Sequence, residues 1–156
     1  MDRKHASRVP DCTYLFTVLV SYRLSRHLLN RPTLFEAAIT AAQKHKPFIR
    51  DSEVILRDRI NAIWILPEGD VDFTTRWDRF KATIAASEPR ADLAGDNWIM
   101  RAFQPRITAL AIRGEADLER YRKLCQSDAP RKIAEREKKP QFVVHLNPRP
   151  DALSQG

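Results

Sequence analysis

Runs of apolar residues divide the first half of the chain into predicted strands and a helix. Residues 13–21 are rich in β-branched and aromatic side chains on both faces, as a central strand would be. Residues 32–46 begin with a proline and carry apolar side chains at helical spacing, which predicts a first helix. Two short apolar runs, at 48–56 and 62–66, predict a strand pair joined through residues 57–61.

The second half of the chain continues to alternate between the two kinds of element. The predicted elements are, in order, a turn at 67–70, a helix capped by Asp72, one strand or two within 98–112, a helix at 115–125 and an edge strand at 141–146. This order is typical of an α+β, ferredoxin-like antiparallel sheet with helices packed on one face. Such a sheet would leave its second face open.

The length and composition indicate one compact domain with a basic tail. The chain has 156 residues, of which 43% are hydrophobic and 30% charged, as in ordinary globular proteins. We assign the domain to residues 8–128. Residues 129–156 form a basic C-terminal extension, which we expect to be partly disordered or to add the edge strand.

Positive charge is concentrated at the two ends of the chain. The net charge is +7; residues 1–50 carry nine basic and three acidic side chains, and residues 130–156 carry six and three. Binding to a phosphate backbone would gain from counterion release at such segments, although a solubilising surface would look similar. The DNA contacts predicted on these grounds are Arg3, Lys4 and Arg8 near the N-terminus and Arg76, Arg79 and Lys81 on the exposed face of the second helix.

Cysteine and histidine placement gives no sign of a metal site. Cys12 and Cys125 stand far apart, so we expect reduced thiols and no disulfide or zinc framework. The four histidines are scattered. No apolar run approaches the roughly 18 residues of a membrane span, and no secretory signal is evident, so we expect a cytoplasmic protein without a membrane partner.

The most specific motif in the sequence is Ile63-Trp64-Ile65-Leu66-Pro67-Glu68-Gly69-Asp70, followed by Val71-Asp72-Phe73-Thr74-Thr75-Arg76-Trp77. Together with residues 8–18 and 112–118, this motif resembles the REP-associated tyrosine transposases, and the resemblance extends over most of residues 8–120. It implies a nuclease and strand transferase that recognises single-stranded or hairpin DNA. In that family a histidine pair holds Mg²⁺ or Mn²⁺ and a tyrosine attacks the phosphodiester.

The sequence departs from the family at both catalytic positions. The family's histidine pair falls on Arg59 and Asn61 in this sequence. Neither residue can replace a metal-binding histidine, because arginine has no lone pair to offer and an amide oxygen alone binds a metal weakly. The tyrosine position falls on Leu124 if the last helix keeps the family register, or on Val143 if the later His-x-Asn-Pro run is the displaced family signature. We therefore expect no bound metal or other cofactor.

Three hypotheses follow from these departures. The first is a DNA-binding protein that has lost cleavage, with Arg59 and Asn61 kept as DNA contacts. The second is a working enzyme in which Tyr121 is the nucleophile and is assisted by Asp58, Glu68 or His145. The third is a protein-interaction subunit that no longer meets DNA. The sequence leaves open whether the chain forms a homodimer.

Overall fold

The computed structural model describes residues 9–88, 98–125 and 141–145. Within these ranges the elements are β1 Thr13–Val20, α1 Tyr22–Leu29, α2 Pro32–His45, β2 Ile49–Leu56, β3 Arg59–Ile65, α3 Phe73–Ala86, α4 Trp98–Ala102, β4 Phe103–Ala111, α5 Glu115–Leu124 and β5 Gln141–His145. No helix in this described part has the length and apolar character that a bilayer crossing needs.

The strands form a single five-stranded sheet in the order β2-β3-β1-β4-β5, and every neighbouring pair is antiparallel. The α+β class predicted from the sequence is confirmed. The predicted edge strand is confirmed as well, because β5 pairs with β4 at the end of the sheet. Part of the predicted extension therefore belongs to the sheet, while residues 126–140 and 146–156 lie outside the described ranges.

Three local predictions differ from the structure. The turn between β2 and β3 contains only Arg57 and Asp58, because the pairing of β2 with β3 runs as far as Leu56 and Arg59. The 98–112 segment begins as the short helix α4, and β4 then runs through Pro105 as one strand whose pairing with β1 shifts register between Phe103 and Ile107. Helix α1 was missed, although Ser21 caps it by accepting a hydrogen bond from the Leu24 amide at 3.2 Å.

The main core lies on one face of the sheet, beneath helices α1 to α4. Phe48, Trp64 and Trp77 form a stack in which successive ring centroids are 3.9 Å and 4.3 Å apart. Both tryptophans are essentially fully buried, as the apolar periodicity of their segments predicted. Phe16, on the central strand, packs against both of them and completes the aromatic centre.

A second, smaller cluster occupies the opposite face of the sheet. Leu15, Ile63 and Leu110 project there from the three inner strands, and Tyr121 and Cys125 cover them from α5 and its C-terminal end. The open face predicted from the sequence is thus covered in part by the last helix. The side chains of Arg59 and Asn61 also lie on this second face, because they alternate along β3 with those of the main core.

Candidate nucleic-acid interface

Arg59 and Asn61 lie at the start of β3, an inner strand of the sheet. Because they are two residues apart on one strand, their side chains share a face, as the metal-binding pair of the family requires. Asn61 is paired with Thr17 on β1, and Thr17 is paired with Thr108 on β4. A polar row therefore crosses the middle of the second face.

The Arg59 side chain is largely buried and its charge is partly balanced. Its Nε donates to one carboxylate oxygen of Asp58 at 2.8 Å, and its Nη2 donates to the other at 3.1 Å. The Asp58 side chain is 56% exposed and the Arg59 side chain 11%, so the carboxylate is the solvent-exposed member of the pair. Arg59 therefore places a cation where the resemblance puts a metal ligand of the family.

Asn61 is fully buried, and its amide oxygen accepts a hydrogen bond from the Thr17 hydroxyl at 3.1 Å. The residues at this position do not fit a divalent cation, since one is a cation and the other offers an amide oxygen that already accepts a hydrogen bond. Within residues 9–88, 98–125 and 141–145 no group of three or more His, Cys, Asp or Glu side chains is arranged to hold a metal ion.

Tyr121 is on the same face of the sheet as Arg59 and Asn61, but it has no exposed surface. The Arg120 guanidinium donates to its hydroxyl at 3.4 Å, and its ring belongs to the second cluster. Burial raises the pKa of Cys125, in the same cluster, to about 12, which keeps this thiol neutral. The Tyr121 and Cys125 side chains therefore pack in the protein interior, and neither can reach a phosphodiester at the surface.

The three side chains proposed to assist Tyr121 lie in separate places. Asp58 directly precedes β3 and Glu68 comes three residues after its end, so these two lie beyond opposite ends of a strand roughly 20 Å long. His145 ends β5, at the far edge of the sheet. The arrangement does not bring the three together with the tyrosine.

The two candidate positions for the missing tyrosine lie in different elements. Leu124 is the last residue of α5. Val143 lies on β5 and pairs with Thr108 of β4, so it is three strands and roughly 14 Å from Asn61. Both positions carry aliphatic residues in this chain.

The prediction that Arg76 faces solvent on α3 is wrong. Arg76 is fully buried and donates five hydrogen bonds, two to the carboxylate of Asp70 at 3.0 Å and one each to the carbonyl oxygens of Lys46, Pro47 and Asp72. The turn before α3, in which Gly69 has a φ of 80°, brings Asp70 into reach. The Asp-Phe-x-x-Arg-Trp motif therefore has a structural role, because its arginine connects the turn to α2 and α3.

The other two cations of α3 are also engaged within the protein. Lys81 is buried, with its ammonium 5.6 Å from the centre of the Phe103 ring, and burial lowers its pKa. Arg79 is partly buried and donates to Nδ1 of His45 at 3.1 Å. The predicted basic face of α3 is thus wrong for Lys81 as well. Arg3, Lys4 and Arg8 lie outside the described residues.

A basic and aromatic surface around α1 was missed by the sequence analysis. It is formed by Tyr22, Arg23, Arg26 and Arg31 on or just after α1, Arg57 in the β2–β3 turn and Trp98 at the start of α4. The available signal was the cap residue Ser21 with Leu24 and Leu28 four residues apart. Only the tertiary structure shows that Arg57 and Trp98 contact residues of this helix.

Comparison with known proteins agrees with this geometry. The chain is 30% identical over 109 residues to the REP-associated tyrosine transposase of Escherichia coli strain K12, a match that covers 70% of this chain and 61% of the relative. It is also similar to the solved structure of a REP-associated tyrosine transposase bound to a REP hairpin, with a TM-score of 0.60, 26% identity, and coverage of 85% of this chain and 74% of that one. No family model matches the chain.

The antiparallel sheet and these two likenesses give the chain the fold of a tyrosine transposase domain. The chain is similar to REP-associated tyrosine transposases over most of its length. It spans about 61% of the length of its Escherichia coli relative. It has arginine and asparagine at the two positions where the resemblance places the metal-binding histidines.

Proposed function

We propose that this protein binds single-stranded or hairpin DNA and does not cleave it by the metal-dependent chemistry of the tyrosine transposases. The similarity to these transposases and the hairpin in the neighbouring structure support DNA as the partner. The observation that carries the loss of cleavage is Arg59, a permanent cation at the position of a metal ligand. Buried Tyr121 and aliphatic Leu124 and Val143 leave no exposed tyrosine at the nucleophile positions considered.

Binding and cleavage can be measured on one labelled hairpin oligonucleotide. We expect binding at low salt and no cut product or covalent protein–DNA adduct with Mg²⁺ or Mn²⁺ present. The Tyr121→Phe variant should bind as the parent protein does. Cleavage that is lost in Tyr121→Phe would contradict the proposal in favour of a working enzyme, and absence of binding at low salt would favour the protein-interaction hypothesis.

Arg59 is proposed to hold a DNA phosphate in place of the metal ion. Asp58 is the exposed member of the pair, so a phosphate can reach the guanidinium from the solvent side, and a charge-assisted hydrogen bond contributes about 1–3 kcal/mol. Arg59→Ala should therefore weaken hairpin binding by roughly one to two decades in Kd.

Asp58→Asn provides the matched variant, because it keeps the shape of the turn and removes the charge that competes with the phosphate. It should bind hairpin DNA more tightly than the parent. Fluorescence anisotropy at a fixed salt concentration measures both variants. Unchanged Kd values in both would show that Arg59 does not contact DNA.

A further inference from the structure

The outer side of α1 borders a cleft of about 430 Å³, a volume within the range of small-ligand sites. Leu24 and Leu28, on the inner side of this helix, belong to the main core. The cleft therefore lies on the helix-covered side of the sheet, whereas Arg59 and Asn61 project from the opposite face. A ligand in this cleft would be separate from DNA held at the Arg59 position.

The described lining of the cleft has an excess of positive charge that comes from arginine. Arg23, Arg26 and Arg31 line it and are exposed, and Glu88 is the acidic residue among its described lining side chains. Each guanidinium has a planar set of donors that can bond two oxygens of one phosphate, which a lysine ammonium lacks. The cleft therefore suits a ligand that carries several negative charges on phosphate groups.

His27 belongs to the wall of the cleft and adds no charge to it. Arg31 donates to its Nδ1 at 3.1 Å, which leaves the ring proton on Nε2. Burial, and then the charge of Arg31, lower the pKa of His27, so the ring is neutral at neutral pH. The His27 ring meets the Trp98 ring edge-on, with the two centroids 5.3 Å apart.

Trp98 and Arg23 form the flat part of the lining. The indole nitrogen of Trp98 donates to the Glu88 carboxylate at 2.9 Å, which together with the His27 contact fixes the orientation of the ring. The guanidinium carbon of Arg23 lies over this ring, 3.9 Å from its centre. Arg23 is exposed, so a nucleobase can reach its guanidinium and stack on it, as bases stack on arginine planes in nucleic-acid recognition.

We propose that the α1 cleft binds a free nucleoside polyphosphate, with the base on Arg23 over Trp98 and the phosphates on Arg26 and Arg31. A polyphosphate supplies the charge that the arginines match, and a base supplies a flat ring for the Arg23 side of the cleft. An acidic peptide has the charge but lacks the base. This site does not depend on the DNA-binding function proposed above, because the two positions lie on opposite faces of the sheet.

Isothermal titration calorimetry of the whole chain with ATP, GTP and inorganic tripolyphosphate tests the proposal. At least one nucleotide should bind about fivefold or more tightly than tripolyphosphate, which is the lower limit for one stacked base. Arg23→Ala should remove this difference, whereas Arg26→Ala should weaken the binding of all three ligands. Arg113→Ala is the matched control, because it removes an exposed arginine that does not line the cleft, and it should bind as the parent does.

The remaining outcomes separate the cleft from other anion-binding surfaces. Equal affinity for tripolyphosphate and both nucleotides would overturn the proposal, as would the absence of binding up to about 1 mM nucleotide. Displacement of the nucleotide by hairpin DNA would also overturn it, because the cleft would then be part of the DNA-binding surface. Nucleotide binding that hairpin DNA leaves unchanged would support the cleft, and this result would stand even if the protein bound no hairpin.

Discussion

At the scale of single residues, Arg76 connects three segments of chain. Its guanidinium bonds to the end of α2 through Lys46 and Pro47, to the turn through Asp70, and to the start of α3 through Asp72. Its side chain is 1% exposed, and the Asp70 side chain is 21% exposed. Hydrogen bonds to Arg76 hold the pKa of Asp70 below its usual value.

Arg76→Ala should lower the free energy of unfolding by about 3–5 kcal/mol, because it leaves a carboxylate and three carbonyl oxygens without their donor. Urea unfolding followed by circular dichroism measures this change. Lys44→Ala, at an exposed site, should stay within about 0.5 kcal/mol of the parent. A decrease below about 1 kcal/mol for Arg76→Ala would mean that water replaces the network.

At the scale of elements, α5 is tied to the opposite edge of the sheet. Arg122 on α5 donates two hydrogen bonds to the carboxylate of Asp51 on β2, at 2.6 Å and 2.9 Å. These bonds hold the pKa of Asp51 below its usual value. A depressed folded-state pKa contributes stability above the unfolded value, about 3.9, and the contribution is lost as pH falls through the folded-state pKa.

Arg122→Ala should therefore cost up to about 1 kcal/mol at neutral pH, a small amount because the arginine is about half-exposed. The difference from the parent should begin to fade as the pH falls below about 4 and should be lost once the pH is below the lowered pKa of Asp51, where this carboxyl is protonated in both proteins. Thermal unfolding across this pH range measures the effect. Lys123→Ala is the control on the same helix, and a pH-independent difference for Arg122→Ala would argue against the ion pair.

At the scale of the whole molecule, the positive segments at the two ends predict binding that depends strongly on salt. The affinity for hairpin DNA should fall steeply as salt is raised, since each neutralised phosphate releases counterions. Neutralising Arg3, Lys4 and Arg8 together should make the slope of log K against log salt shallower, by roughly one unit for each of these side chains that pairs with a phosphate. Titrations at several salt concentrations give the slope, and an unchanged slope would place these residues away from DNA.

The sequence by itself determined the class of fold and the resemblance to the family. Local periodicity located β1, α2, α3 and α5, because apolar spacing depends on neighbouring residues alone. The turn at 67–70 was likewise evident from proline and glycine chemistry. The prediction that Arg59 and Asn61 stand in place of the histidine pair needed only the sequence alignment along one strand.

Tertiary structure decided which cations face solvent and which side chains form a site. Arg76 and Lys81 carry charges that predict exposure, and they are buried because α3 is enclosed by α2, the turn and the sheet. Tyr22, Arg57 and Trp98 are distant in sequence and meet only through the packing of α1 against the β2–β3 turn and α4. Charge and polarity are properties of single residues, whereas burial and proximity depend on contacts between distant parts of the chain.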